Sequence, residues 1–200
     1  MRRLSQQTMW YLTGFTLMAN ELSAKRVDLM RTAFPDATAI TVLMNTSSTT
    51  RRFFRQTEEP ARAIGLTVTL VDAASPEALR TLRPEALGKP GLPLLVLPDA
   101  MFWNHRREIV ALAAAARVPA LYPEREYADD GGLMAYGPSV PDNFRRAAGY
   151  VDRILRGQKP GELPVQEPAK FDFVVNLKTA KELGLSLPPL ILGRADEVIE

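Results

Sequence analysis

Residues Leu94–Gly137 read LLVLPDAMFWNHRREIVALAAAARVPALYPEREYADDGGLMAYG, and the punctuation of this stretch decides the fold. It opens on an apolar run, Leu94–Leu97, cut off by Pro98-Asp99. Such a run is too short for a helix and ends at a breaker, which predicts a buried strand of a parallel sheet. A helical pattern follows, with Ile109, Leu112, Ala113 and Ala116 on one face. Ala120-Leu121-Tyr122 is a second short apolar strand, stopped by Pro123. Strand, helix and parallel strand make a βαβ unit. In such sheets ligands lie beyond the carboxyl ends of the strands. The two ends here carry Asp99, Met101, Phe102 and Trp103 on one side, and Tyr122 and Glu124 on the other.

Upstream, the same alternation repeats. Residues 20–34 carry Val27, Met30 and Phe34 at helical spacing, and Pro35 follows. Ala39–Met44 is a β-branched, apolar strand ending at Asn45. A polar loop, 46–50, leads to a helix near Arg52–Ile64 that Gly65 closes. Leu66–Val71 is the next strand, and Ser75-Pro76 starts a short helix over 76–82. The alternation implies a parallel sheet with helices on both faces, and residues 20–123 are expected to close as one complete α/β lobe.

Residues 124–200 do not close in the same way. They offer a strand at Gly132–Gly137 and a helix at Asp142–Arg156 with Phe144, Ala148, Val151 and Leu155 as its inner face. A proline-rich, linker-like stretch, Lys159–Pro168, then precedes a strand at Phe171–Asn176 and a short helix at Lys178–Leu183. Two strands and two helices expose more apolar surface than they cover, so something outside these elements must pack on them.

Composition bounds the chemistry. Two hundred residues, 46% hydrophobic and 24% charged with a net charge of +2, describe a globular chain with ample core. Scattered cations at so small a net charge argue against nucleic acid. With no cysteine and one histidine, thiolate sites and histidine-rich metal sites are excluded. There is no phosphate loop, dinucleotide fingerprint, zinc-protease helix or nucleophile elbow. No catalytic set, metal site or cofactor is therefore expected. The candidates left are ligand contacts at strand ends: Asn45 and Thr46 after one strand, Asp99 after another, and Phe102, Tyr122 and Tyr136 as an apolar or cation–π surface. The helix start after 47–50 is a further place for a carboxylate. Four have a plainer alternative: Asp99 as a helix cap, and Phe102, Trp103 and Tyr122 as core.

Several long strings in the chain resemble a known family. LPD-x-x-x-x-N-H-R-R, A-R-V-P-A-L-Y-P-x-R-E and G-G-L-M-A-Y-G are similar to ABC transporter substrate-binding proteins, some of whose relatives take aromatic amino acids. The likeness extends to Thr13-Gly14-Phe15, to Tyr150–Gly157, to Phe171–Thr179 and to Ala195–Glu200. It implies a periplasmic-binding-protein type I-like fold: residues 1–19 as a lobe-crossing segment, 20–123 as the complete second lobe, and 124–200 as the returning part of a first lobe whose upstream portion is absent. It implies hinges near Thr13–Thr16, Tyr122–Arg125 and Lys159–Lys170.

It further implies a small-molecule ligand held between two lobes, an ABC permease as partner, and a periplasmic location. The amino terminus itself lacks a convincing signal peptide and reads as a truncated or internal start. Two other function classes stay open on the residues: a cytoplasmic ligand-sensing domain or short non-transport homologue, and, less favoured, a small α/β enzyme. The incomplete lobe also leaves room for a homodimer.

Overall fold

The computed structural model describes residues 12–17, 22–47 and 51–200. The amino-terminal stretch 1–11 and the loop 48–50, with its anticipated carboxylate site, lie outside the described residues.

The alternation inferred from the sequence is present, in the order α1 (Leu22–Ala33), β1 (Ala39–Met44), α2 (Arg51–Ala63), β2 (Thr67–Asp72), α3 (Pro76–Thr81), β3 (Leu94–Val96), α4 (Ala100–Asn104), α5 (Arg106–Ala116) and β4 (Ala120–Tyr122). It continues through α6 (Glu126–Asp129), β5 (Met134–Pro138), α7 (Val140–Leu155), β6 (Phe171–Asn176), α8 (Leu177–Leu183), α9 (Pro189–Leu192) and β7 (Glu197–Ile199). Among the described residues the strands form one seven-stranded sheet, ordered β2-β1-β3-β4-β5-β6-β7. The β1–β2, β1–β3, β3–β4, β4–β5 and β6–β7 pairs are parallel.

Period-two alternation assigns each strand residue to a face. Ile40, Val42, Met44, Leu95, Leu121, Phe173 and Val175 enter one core, with residues of α1, α2, α8 and α9. Leu43, Val71, Leu94, Val96, Ala120, Tyr122 and Val174 enter the other, with α3, α4, α5 and α6. Strands buried on both faces have to be nearly continuous apolar runs, which is how β1 and β3 read.

The described contacts divide the chain into one unit within Asn20–Gly137 and Asp172–Glu200, and another within Met1–Ala19 and Pro138–Phe171. The strands β5, β6 and β7 extend the sheet, each beside its predecessor. One expectation is corrected, and it concerns α7. Phe144, Val151 and Leu155 are 73%, 55% and 81% exposed, and Ala148 is exposed as well. The buried stripe lies one position away, on Asn143 and Tyr150.

That second unit is organised by polar ties around Tyr150. Its hydroxyl donates to the Pro164 carbonyl (2.8 Å) and accepts from Gln166 Nε2 (2.8 Å), and Phe15 packs on its ring at 4.8 Å. Phe15 forms a parallel bridge with Gln166, and the Thr13 hydroxyl donates to the Leu163 carbonyl at 2.8 Å. The proline-rich stretch, which reads as a linker, is thus anchored at Leu163, Pro164 and Gln166.

Candidate ligand-binding site

The strand order reverses at β1: β2 lies on one side of it and β3 on the other. Chains leaving β1 and β3 diverge to opposite faces, and the crevice so opened is where α/β sheets hold ligands. Asn45 follows β1 and Asp99 follows Pro98 after β3. The structure brings these two together, with Asn45 Nδ2 donating to both Asp99 oxygens at 3.3 Å.

Each side chain has further work. Asp99 Oδ1 accepts from the Met101 and Phe102 amides at 2.9 and 3.3 Å, so the capping alternative holds for this oxygen. Only Asn45 engages Oδ2 among these bonds, which leaves it acceptor capacity. Asn45 Oδ1 accepts from the Ser47 amide at 3.0 Å and from its hydroxyl at 2.6 Å. Thr46 is turned toward β2: its amide and hydroxyl donate to the two Asp72 oxygens at 2.9 and 2.6 Å. These bonds hold the β1 loop in one shape.

The aromatic candidates are dispersed. Phe102 and Tyr122 are fully buried in the second core. Tyr122 stacks on Tyr127 with ring centroids 4.9 Å apart, and Gly132 makes room for its ring: a Cβ there would lie 2.5 Å from Tyr122 Cε2. Tyr136 is half-buried on the opposite face, edge-on to Phe173 at 6.1 Å. Burial raises its phenol above the usual range, against the nearby Arg26. Trp103 carries the Arg106 guanidinium over its ring at 5.3 Å, and Arg106 also pairs with Asp130 at 2.8 Å.

A charged group absent from the candidate list sits beside these strand ends. Arg26 of α1 is buried, and it spans the ends of β4 and β5. Its Nε donates to the Tyr136 carbonyl at 2.9 Å and its Nη2 to the Pro123 carbonyl at 3.2 Å. Burial lowers its pKa to about 10, with Glu124 opposing the shift. Glu124 itself is pushed up to about 7, first by burial and then by Glu126, while Arg26 pulls it down. A signal for Arg26 existed in the sequence: it stands four residues after Leu22 and four before Met30, on the buried stripe of its helix.

Among the described residues no cluster of three metal-ligating side chains occurs, and no helix is long and apolar enough to cross a membrane. The arrangement presents hydrogen-bond acceptors at a sheet lip.

The sequence matches the family described as ABC transporter substrate binding protein over residues 6–199. The chain belongs to that family. Substrate-binding proteins of this family are binders, not enzymes. Their fold is also the one found among solved structures. A conserved domain protein from Vibrio cholerae matches with a TM-score of 0.83 at 22% identity, covering 93% of this chain and 62% of that one. An ABC domain from Streptococcus pneumoniae, in complex with L-Trp, matches with a TM-score of 0.74 at 21% identity, covering 88% and 62%. The ligand-free, open structure of CD0873 from Clostridium difficile, a substrate-binding protein with adhesive properties, matches at 0.62 and 19% identity, covering 94% and 62%. This substrate-binding protein chain thus spans 62% of the length of each of these three. A search of curated proteins found no match.

Proposed function

We propose that this chain supplies the sheet-lip half of a solute site in an ABC importer's binding protein, and that the solute is a small amino-acid-like compound. The observation that carries the reading is the Asn45–Asp99 pair at the reversal of strand order, where both side chains are held rigidly by their loops. Asp99 Oδ2 and the Asn45 amide suit an ammonium and a polar group, and Tyr136 offers an aromatic edge on β5, two strands along the sheet from β3. The L-Trp held by the pneumococcal relative supports the ligand class.

In this reading a second lobe closes over the solute, the closed form docks on a membrane permease, and the protein works outside the cytoplasm. The exposed stripe of α7 supports a role for additional surface. Phe144 and Leu155 leave roughly 1.5–3 kcal/mol each of burial unrealised, which a further lobe would recover by covering them.

The test is isothermal titration of the chain with a panel of twenty amino acids and their deaminated analogues, on wild type and Asn45→Ala. Micromolar binding of one compound, weakened at least tenfold by Asn45→Ala, supports the site. Binding indifferent to Asn45→Ala places the solute elsewhere.

A further inference from the structure

Helix α7 carries its exposed apolar residues in a symmetric order. Phe144, Ala148, Val151 and Leu155 all face solvent, and they follow one another at intervals of four, three and four. At about 100° per residue they fall within an arc of roughly 60°. The buried side of the helix, Asn143 and Tyr150, lies about 120° round from them. The stripe is therefore open to a second helix and is not the margin of its own core. Leu12, Leu17 and Val165 of the same unit are exposed as well. Clustered apolar exposure of this kind marks an interaction surface.

The spacing is the same read from either end. Two copies of α7 laid antiparallel therefore mate in full: Phe144 of each lies against Leu155 of the other, and Ala148 against Val151. Charge selects the same alignment. Arg145 and Asp152 border the stripe on its outer edge, two turns apart, and both are well exposed. In the antiparallel pairing Arg145 of each copy stands beside Asp152 of the other, so the twofold axis generates two opposite-charge contacts. A parallel pairing sets Phe144 on Phe144 and brings no acid to Arg145. Their present partners compete little: Arg145 Nη1 donates to Asp142 at 3.4 Å and Arg156 Nε to Asp152 at 2.9 Å, exposed pairs within one turn of helix.

We propose that this face of α7 is an interface between two copies of the chain, the two helices packed antiparallel about a twofold axis. The proposal goes beyond the solute site and does not depend on it: the cover for the stripe is a second copy. One helix a side buries less than about 1,200 Å² in all, which belongs to weak, reversible association. The chain is thus a monomer when dilute and a dimer when concentrated.

The test is sedimentation velocity of the full chain between roughly 5 and 500 µM, the range over which so small an interface assembles. The variants are Ala148→Glu, Arg145→Asp, Asp152→Arg and the double exchange Arg145→Asp with Asp152→Arg, each first checked by circular dichroism. All three positions are exposed, so the fold carries the changes. Expected are a concentration-dependent dimer of wild type and dimerisation about tenfold weaker in Ala148→Glu and in each single exchange. The double exchange should recover to within about threefold of wild type. It keeps the wild-type net charge, so recovery reads pairing and not bulk repulsion. A wild type that stays monomeric throughout overturns the interface and leaves the stripe to a further lobe. Dimerisation unchanged in Ala148→Glu places the contact elsewhere and overturns it too. Weakening in both single exchanges without recovery in the double one overturns the antiparallel pairing. Should an exchange fail to fold, Ala148→Glu decides.

Discussion

Gly137 and Pro123 approach so closely that a Cβ on the glycine would overlap the proline's carbonyl oxygen. That oxygen is also an acceptor for Arg26 Nη2, so the backbone there is fixed from two sides. Gly137→Ala must push the ends of β4 and β5 apart. The expected cost is about 3 kcal/mol, at the upper end for overpacking because the obstacle is backbone. A urea titration of the variant against wild type measures it, and a loss under about 0.5 kcal/mol would mean that the strands separate freely.

Glu124 makes stability depend on pH in an unusual direction. Its carboxyl is raised from 4.5 to about 7, so the folded chain holds this proton more tightly than the unfolded one. The group's contribution is fully favourable below 4.5, is lost as pH climbs through 7, and stays lost above. The full span is about 3 kcal/mol. Glu124→Gln removes it: the variant gains stability near pH 8 and gains little near pH 4.5. Urea midpoints at the two pH values check the sign.

Tyr136→Ala is expected to leave the fold intact and to weaken binding of the panel's best amino-acid ligand at least tenfold. Its ring is half-buried and its backbone carbonyl, the Arg26 acceptor, survives the change. Calorimetric titration decides, and an unaltered dissociation constant removes the ring from the site.

The exposed stripe of α7 predicts an almost silent substitution. Phe144→Glu combined with Leu155→Glu should change the stability of this chain by less than about 0.5 kcal/mol, since both side chains are mostly in solvent. The same pair should lower its binding of a hydrophobic dye and its tendency to self-associate on a sizing column. A loss of several kcal/mol would mean that the stripe is packed in solution.

What was legible in the sequence followed from local punctuation. β1 lies at Ala39–Met44, where its apolar run ends against Asn45; β3 ends at Val96, two residues before Pro98, and β4 directly before Pro123. Where a second partner decides the outcome, local pattern was not enough. α7 carries apolar residues on two adjacent stripes, and periodicity reports that a stripe is apolar without naming what covers it. β7 is three residues long and pairs with β6 from across two helices, so nothing near Glu197–Ile199 announces its neighbour. Asn45 and Asp99 could be placed at strand ends from the sequence, and their mutual hydrogen bonds could not be read there. The spacing of Arg26 from Leu22 and Met30 marks it for the buried face of its helix, and nothing near it in the sequence names its acceptors.

The Arg26 bridges also bear on the order in which the molecule can be completed. Their acceptors lie 97 and 110 residues further along the chain. During synthesis α1 emerges early, yet its guanidinium stays hydrated until β5 has left the ribosome. From β4 onward each strand docks beside the one made just before it, so the sheet can grow by short-range steps while this long-range closure comes late. A contact formed after the rate-limiting barrier governs how fast the chain comes apart and hardly affects how fast it assembles. Arg26 is accordingly a latch on lifetime: its loss should steepen unfolding while refolding proceeds at nearly its former pace.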